Sequence, residues 1–263
     1  IGAGGVMSAG AVATRLGLAG VPAEAETAMV ARDLYLADLT KARLHIPHIS
    51  TVGSLTALRS AKEKGVDVTA EVTPHHLTLS DEWVYGLKGK VPVTVGSEAY
   101  DTNTKVNPPL RSRSDVDAVI VALNEGLIDI IATDHAPHAP TDKVCTYNEA
   151  AHGINVLETA FSSVFQLVDT GKISVVRLIE SLTAGPAAIL HKDLGSLKKG
   201  FYADVVVIDP GSKWIVNPEQ FESKSVNSPL AGAELAGRVV TTIYQGETVF
   251  DLSDVVASAG AKQ

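Results

Sequence analysis

Eleven residues, IDIIATDHAPH (Ile128–His138), place an aspartate and two histidines directly behind a short apolar, β-branched run. Ile128 to Ala132 has the composition of a strand buried on both faces. Thr133-Asp134-His135-Ala136-Pro137-His138 follows, and Pro137 opposes an immediate helix. In parallel α/β proteins this end of a strand is where active sites are built; a capped strand with solvated polar residues is the plainer alternative. Two further runs end the same way: LHIPHIS carries His45 and His48, and VDVTAEV leads into Thr73-Pro74-His75-His76. His48, His75, His76, Asp134, His135 and His138 are thus six candidate ligands or proton carriers at three strand tips, and any single histidine among them could be structural. Imidazole and carboxylate suit zinc or a similar borderline divalent ion. Such a metal lowers the pKa of water and polarises a carbonyl, and an aspartate beside it can carry a proton to a leaving nitrogen. The residues therefore read as metal-assisted hydrolysis at a polarised carbonyl. Adjacent His75 and His76 point to opposite sides of an extended chain, so at most one should face the site. His45 is expected on the face opposite His48, as a core or interface histidine.

Positioning such groups takes a strand–helix repeat, and the sequence supplies one. Residues 1–22 are rich in Gly and Ala. Pro22-Ala23-Glu24-Ala25-Glu26 starts a helix, with Ala25, Met29, Val30, Leu34 and Ala37 at helical spacing to about Lys41. Leu44–Ser50 is a strand with an unusual internal proline, Pro47. Ser54–Lys64 is a helix with Ser54 as N-cap and Gly65 as its stop. Val66–Val72 is the next strand, Ser114–Asn124 the next helix, and Ile128–Ala132 the third strand. This predicts a parallel sheet of βα units. No G-x-G-x-x-G or P-loop opens a helix, which counts against nucleotide-binding folds. The long segment Asp81–Arg113 is expected to be a functional lid, with Pro108-Pro109 aiming the Asn107 side chain; a surface excursion is the alternative. Ala139–Tyr147 is expected to be mobile. EAAHG leads into a helix over Val156–Val168, and helices follow at Val175–Thr183 and Pro186–His191. A strand at Ala203–Ile208 and a hairpin at Arg238–Tyr244 with Gly246 and Val249 make a small β appendage, and the tail from Ser253 reads as frayed. The expected division is 1–192 and 193–263.

The chain has 263 residues, 45% hydrophobic and 20% charged, an ordinary globular balance. A net charge of −8 and a pI near 5.5 argue against nucleic acid or an anionic membrane as a partner. The single cysteine, Cys145, excludes a disulfide framework and a cysteine zinc site and fits a cytoplasmic setting. No apolar run is long enough for a membrane span, and no signal peptide is visible. The opening Ile1-Gly2-Ala3-Gly4-Gly5 suggests a chain that begins mid-protein.

LHIPHIST, VTAEVTPHHL, KVNPPLR, ATDHAPH and GFYADVVVID occur in that order, and together they resemble the dihydroorotase family of the bacterial, longer-chain type, in the amidohydrolase superfamily. The likeness runs from the first residues to about Phe250. NPPLR favours dihydroorotase over hydantoinase and allantoinase, which are similar around TDHAPH. The resemblance implies a TIM-type (β/α)8 barrel with a small β-sandwich appendage and one or two zinc ions. It implies reversible cyclisation of N-carbamoyl-L-aspartate to L-dihydroorotate in pyrimidine biosynthesis. By the same resemblance, His48 is a metal ligand on the sixth barrel strand. Asp134 is a ligand on the eighth and the general acid/base. Asn107 and His138 contact substrate. His152-Gly153 stands where the family has Phe-Gly or Pro-Gly contacting substrate through the backbone, so His152 is a departure. His75 and His76 belong to a family signature without being ligands. The family's His-x-His on the first strand, its carboxylated Lys or Asp on the fourth and its His on the fifth have no counterpart, and a full barrel takes about 250 residues. The expectation is the C-terminal part of the barrel in 1–192, with at most two ligands. The small-molecule substrate is the first partner implied, followed by a homo-oligomer and possible association with aspartate transcarbamoylase. The alternatives are a hydantoinase- or allantoinase-type cyclic amidase and a non-catalytic homologue acting as a structural partner.

Overall fold

A short parallel pair opens the chain: β1 (Met7–Ser8) and β2 (Gly20–Val21), joined through α1 (Ala11–Leu16). The structure, a computed structural model, describes residues 2–253. Then come α2 (Ala23–Thr40), β3 (Leu44–Ile46), α3 (Val52–Glu63), β4 (Val68–Val72), α4 (Pro74–Thr78), α5 (Arg113–Asn124) and β5 (Ile130–Ile131). β3, β4 and β5 form a parallel sheet in that order, with Ile46 opposite Ala70 and Val72 opposite Ile131. Four helices follow: α6 (Pro140–Lys143), α7 (Ala160–Asp169), α8 (Val175–Leu182) and α9 (Ala184–Ile189).

Strand alternation sorts the side chains of this sheet. Ile46, Val68, Ala70, Val72 and Ile131 face the outer helices and join Leu34, Leu58, Leu123 and Leu178 in the main core. The opposite face carries polar groups, His45, Thr69 and Glu71, hydrogen-bonded to one another. The helices start where side chains satisfy free N–H groups. Thr51, not Ser54, caps α3 by accepting from Ser54 N, and Ser112 caps α5 by accepting from Asp115 N. Pro47 lies just beyond the last paired residue of β3, so it removes no ladder bond. β5 is shorter than expected because the Asp129 carboxylate takes a backbone donor of β4, accepting from Ala70 N at 2.7 Å and from Lys62 Nζ at 2.8 Å.

Two loops carry more structure than the sequence implied. Residues 81–113 are anchored at both ends, while residues 88–98 between them are largely exposed. The anchored parts contain 3-10 turns at Asp81–Tyr85 and Thr102–Thr104, and Val84, Tyr85, Val106, Leu110 and Arg111 are buried. Tyr100 Oη donates to Leu16 O at 2.9 Å, and Arg15 Nη2 donates to Pro92 O and Val93 O. Ala139–Tyr147 is likewise anchored: it contains α6, and Lys143 and Tyr147 are buried. The appendage consists of β6 (Val205–Ile215), β7 (Glu234–Tyr244) and β8 (Glu247–Asp251), a single antiparallel sheet among the described residues. It rests on α7, where Ser162 Oγ donates to Gly237 O at 2.6 Å and receives Trp214 Nε1–H at 3.3 Å. Nearly all of the tail expected to fray, 254–263, lies outside the described residues.

Candidate active site

His48 and Asp134 meet at the C-terminal end of the parallel sheet. His48 Nε2 lies 3.6 Å from Asp134 Oδ1, and both side chains are about one-quarter exposed, at 25% and 29%. Each residue has a left-handed backbone, φ 51° at His48 and 47° at Asp134. Non-glycine residues rarely adopt this conformation, and such strain concentrates at functional sites. Here it turns both side chains out of the strand alternation and toward each other.

Behind His48 stands Glu71, which sequence reasoning passed over. Its Oε1 lies 2.8 Å from His48 Nδ1, a close contact outside hydrogen-bond geometry, and its Oε2 receives His45 Nε2–H at 3.0 Å. His45 Nδ1 is 2.8 Å from Thr69 Oγ1. His45 therefore does not point away from His48, as alternation implied; both reach one carboxylate, because Pro47 and the turn at His48 end the alternation. The available signal was a lone glutamate in the apolar run VTAEV, since a buried carboxylate demands partners. Its contact with Glu71 raises the pKa of His48 against the effect of burial. Burial opposes ionisation of Glu71, but His48 and His45 against its two oxygens hold its pKa below the usual value. Burial raises the pKa of Asp134, with His48 opposing and Glu71 adding.

The pair fits part of a zinc site. Ligand distances of about 2.1 Å at tetrahedral angles put two donors roughly 3.4 Å apart, close to the 3.6 Å seen here. A carboxylate on the far ring nitrogen is the usual support for a metal-binding histidine. Among the described residues no group of three or more His, Cys, Asp or Glu is arranged to hold a metal.

The other expected site residues gather on neighbouring loops. His138 Nε2 lies 2.9 Å from His152 O. Gly153 N donates to Lys105 O at 2.9 Å, and Asn227 Nδ2 donates to Gly153 O at 3.1 Å. The Gly153 backbone is thus engaged within the protein, leaving only the second lone pair of its carbonyl for a ligand. Gly153 has φ 136°, and a Cβ there would lie 2.8 Å from Ala136 O, so only glycine lets this segment approach the TDHAPH loop so closely. Asn107 is exposed beside this cluster, between the anchored carbonyls of Lys105 and Pro108, the latter 3.0 Å from His76 Nε2. Two buried lysines, also unforeseen, tie the loops together. Lys143 Nζ donates to Thr102 O at 3.1 Å and Ala151 O at 2.7 Å, and Lys105 Nζ donates to Asn148 O at 3.0 Å. Burial brings Lys143 down to about 8, and burial followed by the two lysines lowers His152.

Of the other candidate histidines, His135 and His76 bond the backbone, whereas both ring nitrogens of His75 are buried with no hydrogen-bond partner among the described residues. His135 Nδ1 receives the N–H groups of Val156 and Leu157, both at 3.2 Å. His75 and His76 do not flank an extended chain. Thr73 caps and Pro74 opens the short helix α4, and both rings are buried with centroids 4.6 Å apart.

A parallel sheet with outer helices, a histidine–aspartate pair at its C-terminal end and a β appendage define a class, and the chain belongs to the amidohydrolase family, whose profile matches residues 27–249. Its strands are part of the (β/α)8 barrel of the metal-dependent hydrolase kind. More particularly, the chain is 50% identical over 244 residues to a dihydroorotase of Thermoanaerobacter sp. (strain X514), covering 92% of this chain and 53% of that protein. It is 47% identical over 247 residues to a dihydroorotase of Anaeromyxobacter dehalogenans (strain 2CP-1), covering 94% and 54%. In fold it is similar to the L-hydantoinase (dihydropyrimidinase) of Arthrobacter aurescens, with a TM-score of 0.80 and 27% identity over 89% of this chain and 50% of that one. The chain thus spans about half the length of the curated relatives it matches.

Proposed function

We propose that this chain carries the proton-transfer aspartate and two metal ligands of a dihydroorotase, which interconverts N-carbamoyl-L-aspartate and L-dihydroorotate. The observation that carries the reading is the facing pair His48 Nε2 and Asp134 Oδ1 at 3.6 Å, with Glu71 behind the histidine. His48 and Asp134 would hold zinc, one or two ions in all, with further ligands from outside these residues. When bound, zinc supplies Lewis acidity toward the ring carbonyl and lowers the pKa of water. Asp134 takes the proton of the attacking water on its carboxylate and delivers it to the departing ring nitrogen; in the reverse direction it removes the proton of the ureido nitrogen. Asn107 and His138 orient the substrate, with the backbone at His152-Gly153 forming the adjoining wall, held in place by Lys143.

The division at 1–192 and 193–263 into barrel part and β domain belongs to the same proposal, supported by the separate antiparallel sheet β6–β8. So does self-association into a homo-oligomer, supported by exposed Tyr35, Leu36 and Leu39 on α2. Association with aspartate transcarbamoylase and a cytoplasmic location extend the reading. The exposed free Cys145 fits a reducing compartment, and among the described residues no helix is long and apolar enough to cross a membrane. The test is turnover by the intact gene product, with hydantoin and allantoin as rival substrates. Preference for either rival would replace dihydroorotase by a different cyclic amidase. No turnover on any of them would favour a structural homologue.

A further inference from the structure

We infer that Glu71 and His45 are positioning residues, which hold the His48 ring in the single tautomer and orientation that aims its Nε2 at Asp134. This rests on the metal-dependent reading of the site. The contacts form one chain: Thr69 Oγ1 to His45 Nδ1 at 2.8 Å, His45 Nε2 to Glu71 Oε2 at 3.0 Å, Glu71 Oε1 to His48 Nδ1 at 2.8 Å, and His48 Nε2 to Asp134 Oδ1 at 3.6 Å.

The proton positions follow from the chemistry of the partners. A carboxylate accepts, and Glu71 sets one oxygen against each ring, Oε2 at 3.0 Å from His45 Nε2 and Oε1 at 2.8 Å from His48 Nδ1. Each imidazole must then present N–H to it, Nδ1–H from His48 and Nε2–H from His45. A neutral imidazole with Nδ1–H has its lone pair on Nε2, the atom facing Asp134. On His45 the lone pair falls on Nδ1, which accepts from the Thr69 hydroxyl. Each imidazole thus presents N–H to a Glu71 oxygen, His45 in a hydrogen bond and His48 in a close contact outside ideal hydrogen-bond geometry, and no alternative tautomer presents N–H to both oxygens. His45 acts at one remove. It occupies the second oxygen of Glu71, so that a side chain only 10% exposed has a fixed direction rather than two equivalent ones. A purely structural role, cross-linking β3 to β4, would need only the His45–Glu71 contact. Reaching past the end of the strand to a left-handed His48 serves no sheet bond.

The experiment uses the intact gene product and four forms: wild type, Glu71→Leu, His45→Phe and His45→Gln. Two readouts are taken besides turnover of dihydroorotate. Zinc half-saturation is measured by chelator competition. The His48 tautomer is read from the 15N-histidine spectrum of metal-free protein at about pH 9, above the imidazolium range. Wild type should show His48 as the Nδ1–H tautomer. Glu71→Leu should mix the tautomers and weaken zinc by roughly 10–100-fold, the usual effect of losing such a support. His45→Phe should weaken zinc by several-fold, with kcat falling more than KM rises. His45→Gln, whose amide returns an N–H to Glu71, should recover most of the loss. Should Glu71→Leu fail to fold, the Phe and Gln variants at His45 decide the matter by themselves. Wild-type tautomer ratios and zinc affinity in the substituted forms would overturn the inference while leaving the dihydroorotase reading intact. If wild type neither bound zinc nor turned over dihydroorotate, that reading would fall. The tautomer spectra, which need no metal, would still decide whether Glu71 and His45 orient His48.

Discussion

Glu26→Ala should destabilise the protein by about 3–5 kcal/mol, the range for breaking a buried ion pair from one side. The Glu26 and Arg111 side chains are 10% and 2% exposed, with Arg111 Nη2 3.2 Å from Glu26 Oε2. The same carboxylate accepts from Ser50 N at 3.0 Å, Thr51 N at 3.1 Å, Thr51 Oγ1 at 3.1 Å and the Ser50 hydroxyl. Truncation would leave the guanidinium with only Ser50 Oγ at 3.0 Å and Ser8 Oγ at 3.4 Å. It would also strand the amides of Ser50 and Thr51 on the turn that carries His48. Against a total of about 5–15 kcal/mol for a domain, this is a large share. Glu26→Gln keeps the shape and loses the charge, so about 1.5–3 kcal/mol is expected. Glu26→Leu combined with Arg111→Met should cost clearly less than the two single changes added together, since no charge is left unpaired. The sign with pH follows from the pKa of Glu26, which burial pushes up but hydrogen bonds from Ser50 bring below the ordinary 4.5. The contribution is complete above that value and disappears as pH falls through the folded pKa. The assay is urea unfolding of the intact gene product followed by circular dichroism. A loss below about 1 kcal/mol for Glu26→Ala, or strict additivity in the double variant, would refute the assignment.

Asp134→Asn should leave folding intact and lower turnover by several factors of ten, each worth about 1.4 kcal/mol of barrier; activity within tenfold of wild type would remove Asp134 from the mechanism. Asn107→Ala should impair substrate use without changing zinc affinity, and a parallel fall in both would show that its role is misassigned. Acid should destabilise the fold through the buried histidines. Burial drives His75 well below its ordinary 6.5 and brings His76 to about 4, so the neutral forms stabilise the protein above pH 6.5 and that stability is lost toward pH 4. For His76 the loss is on the order of 3 kcal/mol, and unfolding curves that stay flat between those pH values would contradict it. A 1–263 chain should self-associate in light scattering, because Tyr35, Leu36 and Leu39 are 46–68% exposed and the β3 edge of the sheet carries no partner strand among the described residues.

Periodicity made the scaffold legible. α2 and α5 lie almost where the apolar spacing puts them, and the strands behind His48, His75 and Asp134 are parallel neighbours. Local rules failed where side chains replace backbone partners. Asp129 shortens β5 by bonding Ala70 N, and Thr51 takes the cap expected of Ser54. Strand alternation put His45 on the wrong side because it assumes an extended chain, and Pro47 with the left-handed His48 ends that chain. The same assumption separated His75 from His76, where Thr73-Pro74 starts a helix instead. Arg111 was visible only as part of NPPLR; its burial against Glu26, 85 residues away, is a long-range pairing with no local signature. Glu71 was hidden by its surroundings, since a glutamate within a hydrophobic strand shows its purpose only once the histidines around it are placed.

The most direct test is zinc content and dihydroorotate turnover measured together on the intact gene product and on its His48→Ala and Asp134→Asn forms. The account predicts bound zinc and turnover of dihydroorotate in preference to hydantoin and allantoin. It further predicts loss of zinc in His48→Ala and loss of turnover in both variants, with folding preserved. Undiminished dihydroorotate turnover in either variant, or a wild-type protein that binds no zinc, would contradict it.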